Sequence, residues 1–276
     1  MTAAWNNTPA QTLNVGDATL EYACFGPAPS DAPTLVLLHE GLGCTELWRD
    51  FPQQLADQTG LGVVAYSRAG YGRSSTVKLP RSLDYMTDEA TDVLGDVMTE
   101  LGVTQAILLG HSDGATIAAI YAGSVSDQRV RGLVLMAPHF FAEASGIATI
   151  KETLAQYQNG DLKSKLSKYH DDPDVAFHGW YDSWTHPDFA KWTVADTIDH
   201  WRIPVLAIQG SSDPYGTMAQ ISEIDERIYS PLETLILEGC GHAPHLEQPD
   251  QTTAAIAEFC ATLVRLEQAE VLLESA

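Results

Sequence analysis

The chain has 276 residues, 45% of them hydrophobic, and a formal net charge of −22 from 37 acidic and 15 basic side chains. This apolar content is typical of a globular protein and argues against a disordered chain. Because so acidic a surface repels nucleic-acid phosphates and anionic lipids, we expect a small-molecule substrate and neither a nucleic-acid nor a membrane partner. The oligomeric state is left open.

The N-terminal stretch and the cysteines bear on the cellular compartment. Residues 1–15 lack a basic region followed by an apolar run, so we expect no signal peptide. No apolar run approaches the roughly 18 residues that span a bilayer. The four cysteines show no CxxC spacing and no dense disulfide pattern, which favours free thiols and a cytoplasmic location; they are Cys24, Cys44, Cys240 and Cys260.

Short apolar segments alternate with helical patterns along the chain. Residues 11–25 are typical of an antiparallel hairpin with Gly16-Asp17 as its turn. Buried strands are predicted at 34–40, 62–67, 105–110, 131–138, 204–210 and 232–239. Helices are predicted at 46–58, 84–101, 114–125, 218–228 and 250–268. This alternation predicts an α/β fold with a mostly parallel central sheet and helices on both faces.

One long segment, 139–199, contains no apolar strand and is rich in aromatic residues and histidine. It leaves the carboxyl end of a strand, above the place where open α/β sheets bind ligands. We therefore predict a helical cap at 139–199, inserted after the sixth strand, and a core formed by 1–138 and 200–276. Most of the cap aromatics are expected to pack on one another.

The segment Gly110-His111-Ser112-Asp113-Gly114 follows a predicted strand and opens a predicted helix. This is the context of the G-x-S-x-G turn that presents a nucleophilic serine. The alternative is a small-residue turn with a solvent-facing hydroxyl. The rest of the chain favours the nucleophile, because it supplies a base and an acid at neighbouring strand ends.

A serine hydroxyl is a weak nucleophile unless a base takes its proton. His242 follows the strand at 232–239, and Asp213 follows the strand at 204–210. The order Ser112, Asp213, His242 is the one expected for this sheet topology. Two alternatives remain: Asp213 as a helix cap and His245 as the base.

Acyl transfer also needs backbone N–H groups for the developing oxyanion. We expect them from Asp113, next to the serine, and from Gly41 in the loop after the strand at 34–40. His39-Glu40 also matches the first two residues of a zinc-binding HExxH motif, but position 43, where the second histidine would stand, is glycine. We expect neither a metal nor a cofactor.

These motifs resemble those of the capped, esterase-like group of the α/β-hydrolase family over nearly the whole chain. LLHEGLG (37–43) stands at the family's oxyanion motif, and AYSRAGYGRSS (65–75) is similar to its D-x-R-G-x-G-x-S loop. GHSDG, QGSSD and GCGHAPH then follow in the family's order. The resemblance implies the same nucleophile, acid, base and oxyanion amides. Glu40 departs from a usual glycine and Ser67 from a frequent aspartate.

The sequence thus predicts a serine hydrolase that cleaves a small, mostly apolar carboxylic ester through an acyl-enzyme. The alternatives are a lactonase or a carbon–carbon bond hydrolase with the same triad, or a small-molecule receptor on the same fold. Candidate pocket residues are Glu40, Leu42, His139, Phe140, Trp180 and Trp184.

Overall fold

The computed structural model describes residues 3–7 and 10–274, with side chains described as far as residue 266. Residues 1, 2, 8, 9, 275 and 276, which include part of the stretch analysed for a signal peptide, lie outside the described residues. The described strands are β1 (Gln11–Val15), β2 (Ala18–Phe25), β3 (Thr34–Leu38), β4 (Gly62–Tyr66), β5 (Ala106–His111), β6 (Val130–Met136), β7 (Val205–Gly210) and β8 (Leu232–Leu237).

Helices connect these strands. They are α1 (Phe51–Thr59), α2 (Tyr85–Asp88), α3 (Leu94–Glu100), α4 (Asp113–Ser124), α5 (Ala144–Asn159), α6 (Leu162–Leu166), α7 (Pro173–Trp184), α8 (Ala219–Arg227), α9 (Pro244–Glu247) and α10 (Pro249–Glu274). A π-helical turn at Glu89–Val93 joins α2 to α3, inside the segment predicted as one helix. The predicted helix at 46–58 divides into a 3-10 turn, Thr45–Trp48, and α1.

The strands form one sheet in the order β1-β2-β4-β3-β5-β6-β7-β8. β2 pairs antiparallel with β1 and β4, and the other neighbouring pairs are parallel. Gly16, with a φ of +54°, lies in the predicted hairpin turn. The next strand after β3 lies on one side of it, whereas the next strand after β5 lies on the opposite side of the sheet. β3 and β5 therefore form a topological switch point, and ligands bind at such points in open α/β sheets.

Alternate residues of the central strands point to opposite faces of the sheet. In β3, Val36 and Leu38 join a core with helix α4, whereas Leu35 and Leu37 join a core with α1 and α10. All four are fully buried or nearly so. Because both faces are covered, the strands are almost continuously apolar, as a parallel sheet requires.

The segment between β6 and β7 is helical, with α5, α6, α7 and two 3-10 turns, Pro187–Lys191 and Ala195–His200. An antiparallel bridge between Phe141 and Thr193 closes its base. Its aromatics pack on one another, as expected: Tyr157 stacks on Phe177 with 3.8 Å between ring centroids. The segment after the sixth strand is therefore helical, and its role as a cap stays a prediction.

Two remaining features concern the whole described chain. The four cysteines are free, as predicted, and all four are buried. Across the part of the chain that the structure describes, no helix has both the length and the apolar character needed to cross a membrane.

Candidate active site

Ser112 occupies a tight turn between β5 and α4, with a φ of +55° and a ψ of −120°. A Cβ on Gly110 would lie 2.2 Å from the carbonyl oxygen of Gly114, and one on Gly114 would lie 2.0 Å from that of Leu38. Glycine is therefore required at both positions, because the neighbouring backbone is too close to leave room for a Cβ atom. The Ser112 amide donates to the carbonyl of Met136 at 2.9 Å, which ties the turn to β6.

Asp213 and His242 lie at the carboxyl ends of β7 and β8 and are hydrogen-bonded. Nδ1 of His242 is 2.8 Å from Oδ2 of Asp213. The other oxygen, Oδ1, accepts from the Tyr215 amide at 2.8 Å, so Asp213 also orders its own loop. Burial would raise the pKa of Asp213, but His242 and the Tyr215 amide outweigh it and lower that pKa to about 2. The carboxyl group is therefore ionised at neutral pH.

Ser112 and His242 line the same cavity. No hydrogen bond joins their side chains among the described residues. In the absence of substrate, hydrogen bonds of this kind are often long and tighten in the complex.

His111 lies behind His242 and contacts its backbone. Nε2 of His111 is 2.7 Å from the carbonyl oxygen of His242, so this nitrogen donates. Nδ1 of His111 is 3.7 Å from a carboxylate oxygen of Glu40. Burial would raise the pKa of Glu40, but the nearby His111 ring outweighs it and holds that pKa well below its ordinary value. Glu40, at the position where glycine is usual, thus provides a carboxylate next to the His242 loop.

The carbonyl groups of the loop after β3 are bonded by side chains that do not line the cavity. Buried Arg68 donates to the carbonyls of His39 and Glu40, and His170 Nε2 donates to that of Leu42 at 3.0 Å. The N–H and C=O of a trans peptide group point in opposite directions. The Gly41 N–H, which shares a peptide group with the Glu40 carbonyl, therefore points away from Arg68.

Glu21 takes part in the loop where Ser67 replaces a frequent aspartate. Its Oε2 accepts from the Ser67 hydroxyl at 2.7 Å and from the Arg73 amide at 3.1 Å. A carboxylate from β2 thus supplies the negative charge that Ser67 lacks, while the Ser67 hydroxyl itself accepts from the Thr45 amide at 3.0 Å. Glu21 is 1% exposed. No local sequence pattern indicates this contact, because Glu21 lies 46 positions from Ser67.

The cavity has a volume of about 120 Å³. Its lining consists of Glu40, Gly41, Leu42, Ser112, Asp113, His139, Ile150, Trp180, Trp184, Tyr215 and His242. Tyr215 and Ile150 were not predicted. Tyr215 lies two residues after Asp213, a proximity that would have indicated it, whereas Ile150 is placed by the packing of α5.

Phe140 was expected in the pocket, and that expectation is wrong. Its side chain is fully buried and packs on Trp201, with 5.9 Å between ring centroids. Its amide donates to Oε1 of Gln220 at 2.7 Å, and the residue is absent from the cavity lining.

Asp113 connects the serine turn to the inserted segment. Its buried carboxyl group accepts hydrogen bonds from the Tyr85 hydroxyl and from Nε1 of Trp184, on α7. Burial raises the pKa of Asp113, against the opposing effects of Arg68 and these two donors. The inserted helix is therefore fixed directly to the residue next to Ser112.

His245, the alternative candidate for the base, does not line the cavity that His242 lines. It is 5% exposed and packs on Trp48 and Phe51, with ring centroids 5.0 and 5.2 Å away.

The described residues contain no group of three or more His, Cys, Asp or Glu side chains placed to hold a metal ion.

Comparison with known proteins places the chain among relatives of the same fold. It is 30% identical over 201 residues to a bifunctional esterase/perhydrolase from Acinetobacter calcoaceticus, covering 71% of this chain and 68% of that protein. A proline iminopeptidase structure from Mycobacterium smegmatis superposes with a TM-score of 0.73 at 19% identity, covering 92% of this chain and 98% of that one.

A second solved structure, a 2-hydroxy-6-oxo-6-phenylhexa-2,4-dienoate hydrolase from Rhodococcus sp., has a TM-score of 0.76 at 18% identity and covers 90% of this chain and 97% of its own. The model of the alpha/beta hydrolase family matches residues 35–256. The chain therefore belongs to the alpha/beta hydrolase family.

Proposed function

We propose that the protein is a cofactor-free serine hydrolase that cleaves small, mostly apolar carboxylic esters through an acyl-enzyme. The observation that carries this proposal is the 2.8 Å hydrogen bond between Asp213 and His242, beside a cavity that Ser112 also lines. A nucleophile, a base and the carboxylate that orients the base are the parts that acyl transfer on serine requires.

In the proposed mechanism, His242 takes the Ser112 proton as Oγ attacks the ester carbonyl. Asp213 accepts from Nδ1–H of His242, which leaves Nε2 free for the serine and stabilises the imidazolium that forms. His242 then gives its proton to the departing alcohol. Water, deprotonated by the same histidine, releases the acid and restores Ser112.

The oxyanion would be held by the backbone N–H groups of Gly41 and Asp113. Arg68 and His170 support this role, because they hold the carbonyls of the loop after β3 and so fix the orientation of its peptide groups. Asp113 opens α4, so its amide lies at a helix N-terminus, where negative charge is favoured. Donors fixed before the reaction cost no reorganisation as charge develops.

The lining favours an uncharged, compact substrate. Glu40 contributes a carboxyl group, and no lysine or arginine lines the cavity in the described structure. Carboxylate-bearing substrates, such as a dienoate, would meet repulsion from Glu40. An ester is also in keeping with the esterase among the relatives, and the volume of about 120 Å³ fits a short acyl group.

The test is steady-state hydrolysis of p-nitrophenyl esters, from acetate to long acyl chains. Wild type should turn over the short esters with saturation and lose rate as the chain lengthens. Ser112→Ala should lose at least about a thousandfold in kcat, because the nucleophile acts together with its base. The control, Ser126→Ala, changes an exposed serine in the loop after α4 and should match wild type.

Two results would contradict the proposal. Equal turnover by folded Ser112→Ala would eliminate the serine mechanism. No turnover by folded wild type on any ester would favour a lactonase, a carbon–carbon bond hydrolase or a receptor.

A further inference from the structure

His139 is a second histidine in the cavity, and the mechanism above gives it no task. It follows β6, is 4% exposed and lines the cavity together with Ser112. Its ring lies edge-on to Trp184, with 5.2 Å between ring centroids, and 5.8 Å from the ring of His242.

The backbone of His139 is satisfied, but its ring is not. Thr116 Oγ1 accepts from the His139 amide and donates to its carbonyl, at 3.3 and 2.7 Å. Neither ring nitrogen is hydrogen-bonded to any of the described residues. The ring nitrogens are not among the buried side-chain atoms that lack a partner, so they are open to the cavity that the ring lines. Their partner therefore comes from the contents of the cavity.

The surroundings define the chemistry of that partner. Burial and the neighbouring His242 lower the pKa of His139 to about 3, so the ring is neutral and offers one donor and one acceptor. Glu40 disfavours a negatively charged group at this site. A hydroxyl group is uncharged and both donates and accepts, so it matches either ring nitrogen.

We propose that His139 hydrogen-bonds a hydroxyl group of the substrate, close to the scissile carbonyl, and that the preferred substrates are therefore hydroxy esters. This inference rests on the proposed ester hydrolase function and narrows its substrate class. The hydroxyl has to lie within a few atoms of the carbonyl, because Ser112 and His139 share a cavity of about 120 Å³.

The experiment compares three pairs of esters that differ by a hydroxyl and a methyl group of similar size. They are ethyl lactate and ethyl 2-methylpropanoate, ethyl 3-hydroxybutanoate and ethyl 3-methylbutanoate, and 2-hydroxyethyl acetate and propyl acetate. Values of kcat/KM come from pH-stat titration at pH 7.5. Each is divided by the alkaline hydrolysis rate of the same ester, which removes differences in intrinsic reactivity.

Wild type should prefer the hydroxy ester of at least one pair by about tenfold, the discrimination expected from one buried hydrogen bond. His139→Leu should bring that ratio to about 1, mainly by slowing the hydroxy ester. His139→Asn, which keeps a donor and an acceptor, should retain part of the preference. His178→Leu changes a half-buried histidine of α7 outside the cavity and should keep the wild-type ratio.

Turnover of all six esters by wild type without any hydroxyl preference would overturn this inference and leave the proposed function standing. An equal fall for both members of a pair in His139→Leu, with an unchanged ratio, would also overturn it. Absence of turnover on these esters and on the p-nitrophenyl series would overturn both. If His139→Leu does not fold, the wild-type comparison still tests the substrate class, and His139→Asn tests the role of the histidine.

Discussion

His245 shows how burial separates two histidines that are three residues apart. Its ring packs on Trp48 and Phe51, and its Nδ1 has no hydrogen-bond partner among the described residues. Burial, with a smaller contribution from His111, lowers the pKa of His245 from 6.5 to about 3. The folded protein therefore keeps this ring neutral where the unfolded chain would protonate it.

This shift makes stability depend on pH. Below pH 6.5 the unfolded chain binds a proton that the folded chain does not, so stability falls as the pH falls from about 6.5 towards about 3. Between pH 7.5 and 5.5 the loss from His245 should be about 1.4 kcal/mol. His245→Phe, which keeps an aromatic ring, should remove that part of the loss.

Urea unfolding at the two pH values measures this effect. The free energy of unfolding at pH 7.5 serves as the control, because the difference between wild type and variant at that pH measures any packing cost of the larger ring. An unchanged pH dependence in His245→Phe would show that the buried imidazole does not contribute.

At the residue scale, the sequence predicts those site residues whose positions depend on the local pattern of strands and turns. Ser112, Asp213 and His242 follow strands whose order along the chain is visible in the sequence, so their convergence at one sheet edge could be predicted. Glu21 and Ile150 could not be predicted, because their positions depend on packing between segments distant in sequence. Phe140 was misplaced because an aromatic residue beside a site fits the core equally well.

At the scale of elements, the serine turn depends on the contact between α4 and β3. Gly114 lies in the first turn of α4, directly against the Leu38 carbonyl at the end of β3. Helix, strand and nucleophile can therefore hold their positions only while residue 114 has no Cβ.

Gly114→Ala should lower the free energy of unfolding by about 3 kcal/mol or more, because its Cβ would lie 2.0 Å from that carbonyl oxygen. The matched control is Gly60→Ala, which has a φ of +70° and no atom within 4 Å. It should cost only about 1 kcal/mol of backbone strain. Thermal and urea unfolding measure both, and equal costs would contradict the close approach of α4 and β3.

The elements themselves were largely predictable, because strands buried on both faces are short, apolar and bounded by turn residues. The prediction of a buried strand at 232–239 is wrong in its burial, because β8 lies at the edge of the sheet and three of its six residues are exposed. The sequence does not indicate where a predicted helix contains an irregular turn. The π-helical turn at Glu89–Val93 interrupts a continuous pattern, and in it Glu89 accepts a hydrogen bond from Tyr66 at 2.8 Å. That partner comes from β4, so the local pattern of residues 84–101 does not contain it.

At the scale of the whole molecule, the charge is strongly unbalanced. The 37 acidic side chains exceed the 15 basic ones by 22, and their mutual repulsion opposes the compact state. Added salt screens exposed charges over about 10 Å at 0.1 M.

Raising NaCl from about 20 mM to about 500 mM, concentrations chosen to span that screening range, should therefore raise the urea midpoint of unfolding. Urea is used because guanidinium is itself a salt. KCl should give the same rise, which separates general screening from a specific sodium effect. A midpoint that falls with salt would mean that exposed ion pairs outweigh the repulsion.

The central claim is that Ser112 carries the acyl group during turnover. The most direct measurement is rapid acid quench of wild type and Ser112→Ala with p-nitrophenyl acetate, followed by mass spectrometry of the intact chain and of its peptides. We expect a burst of p-nitrophenolate close to one per chain, with the acetyl group on the peptide that contains Ser112 and none in Ser112→Ala. Turnover without an acyl adduct, or an adduct on another residue that accounts for the burst, would contradict it.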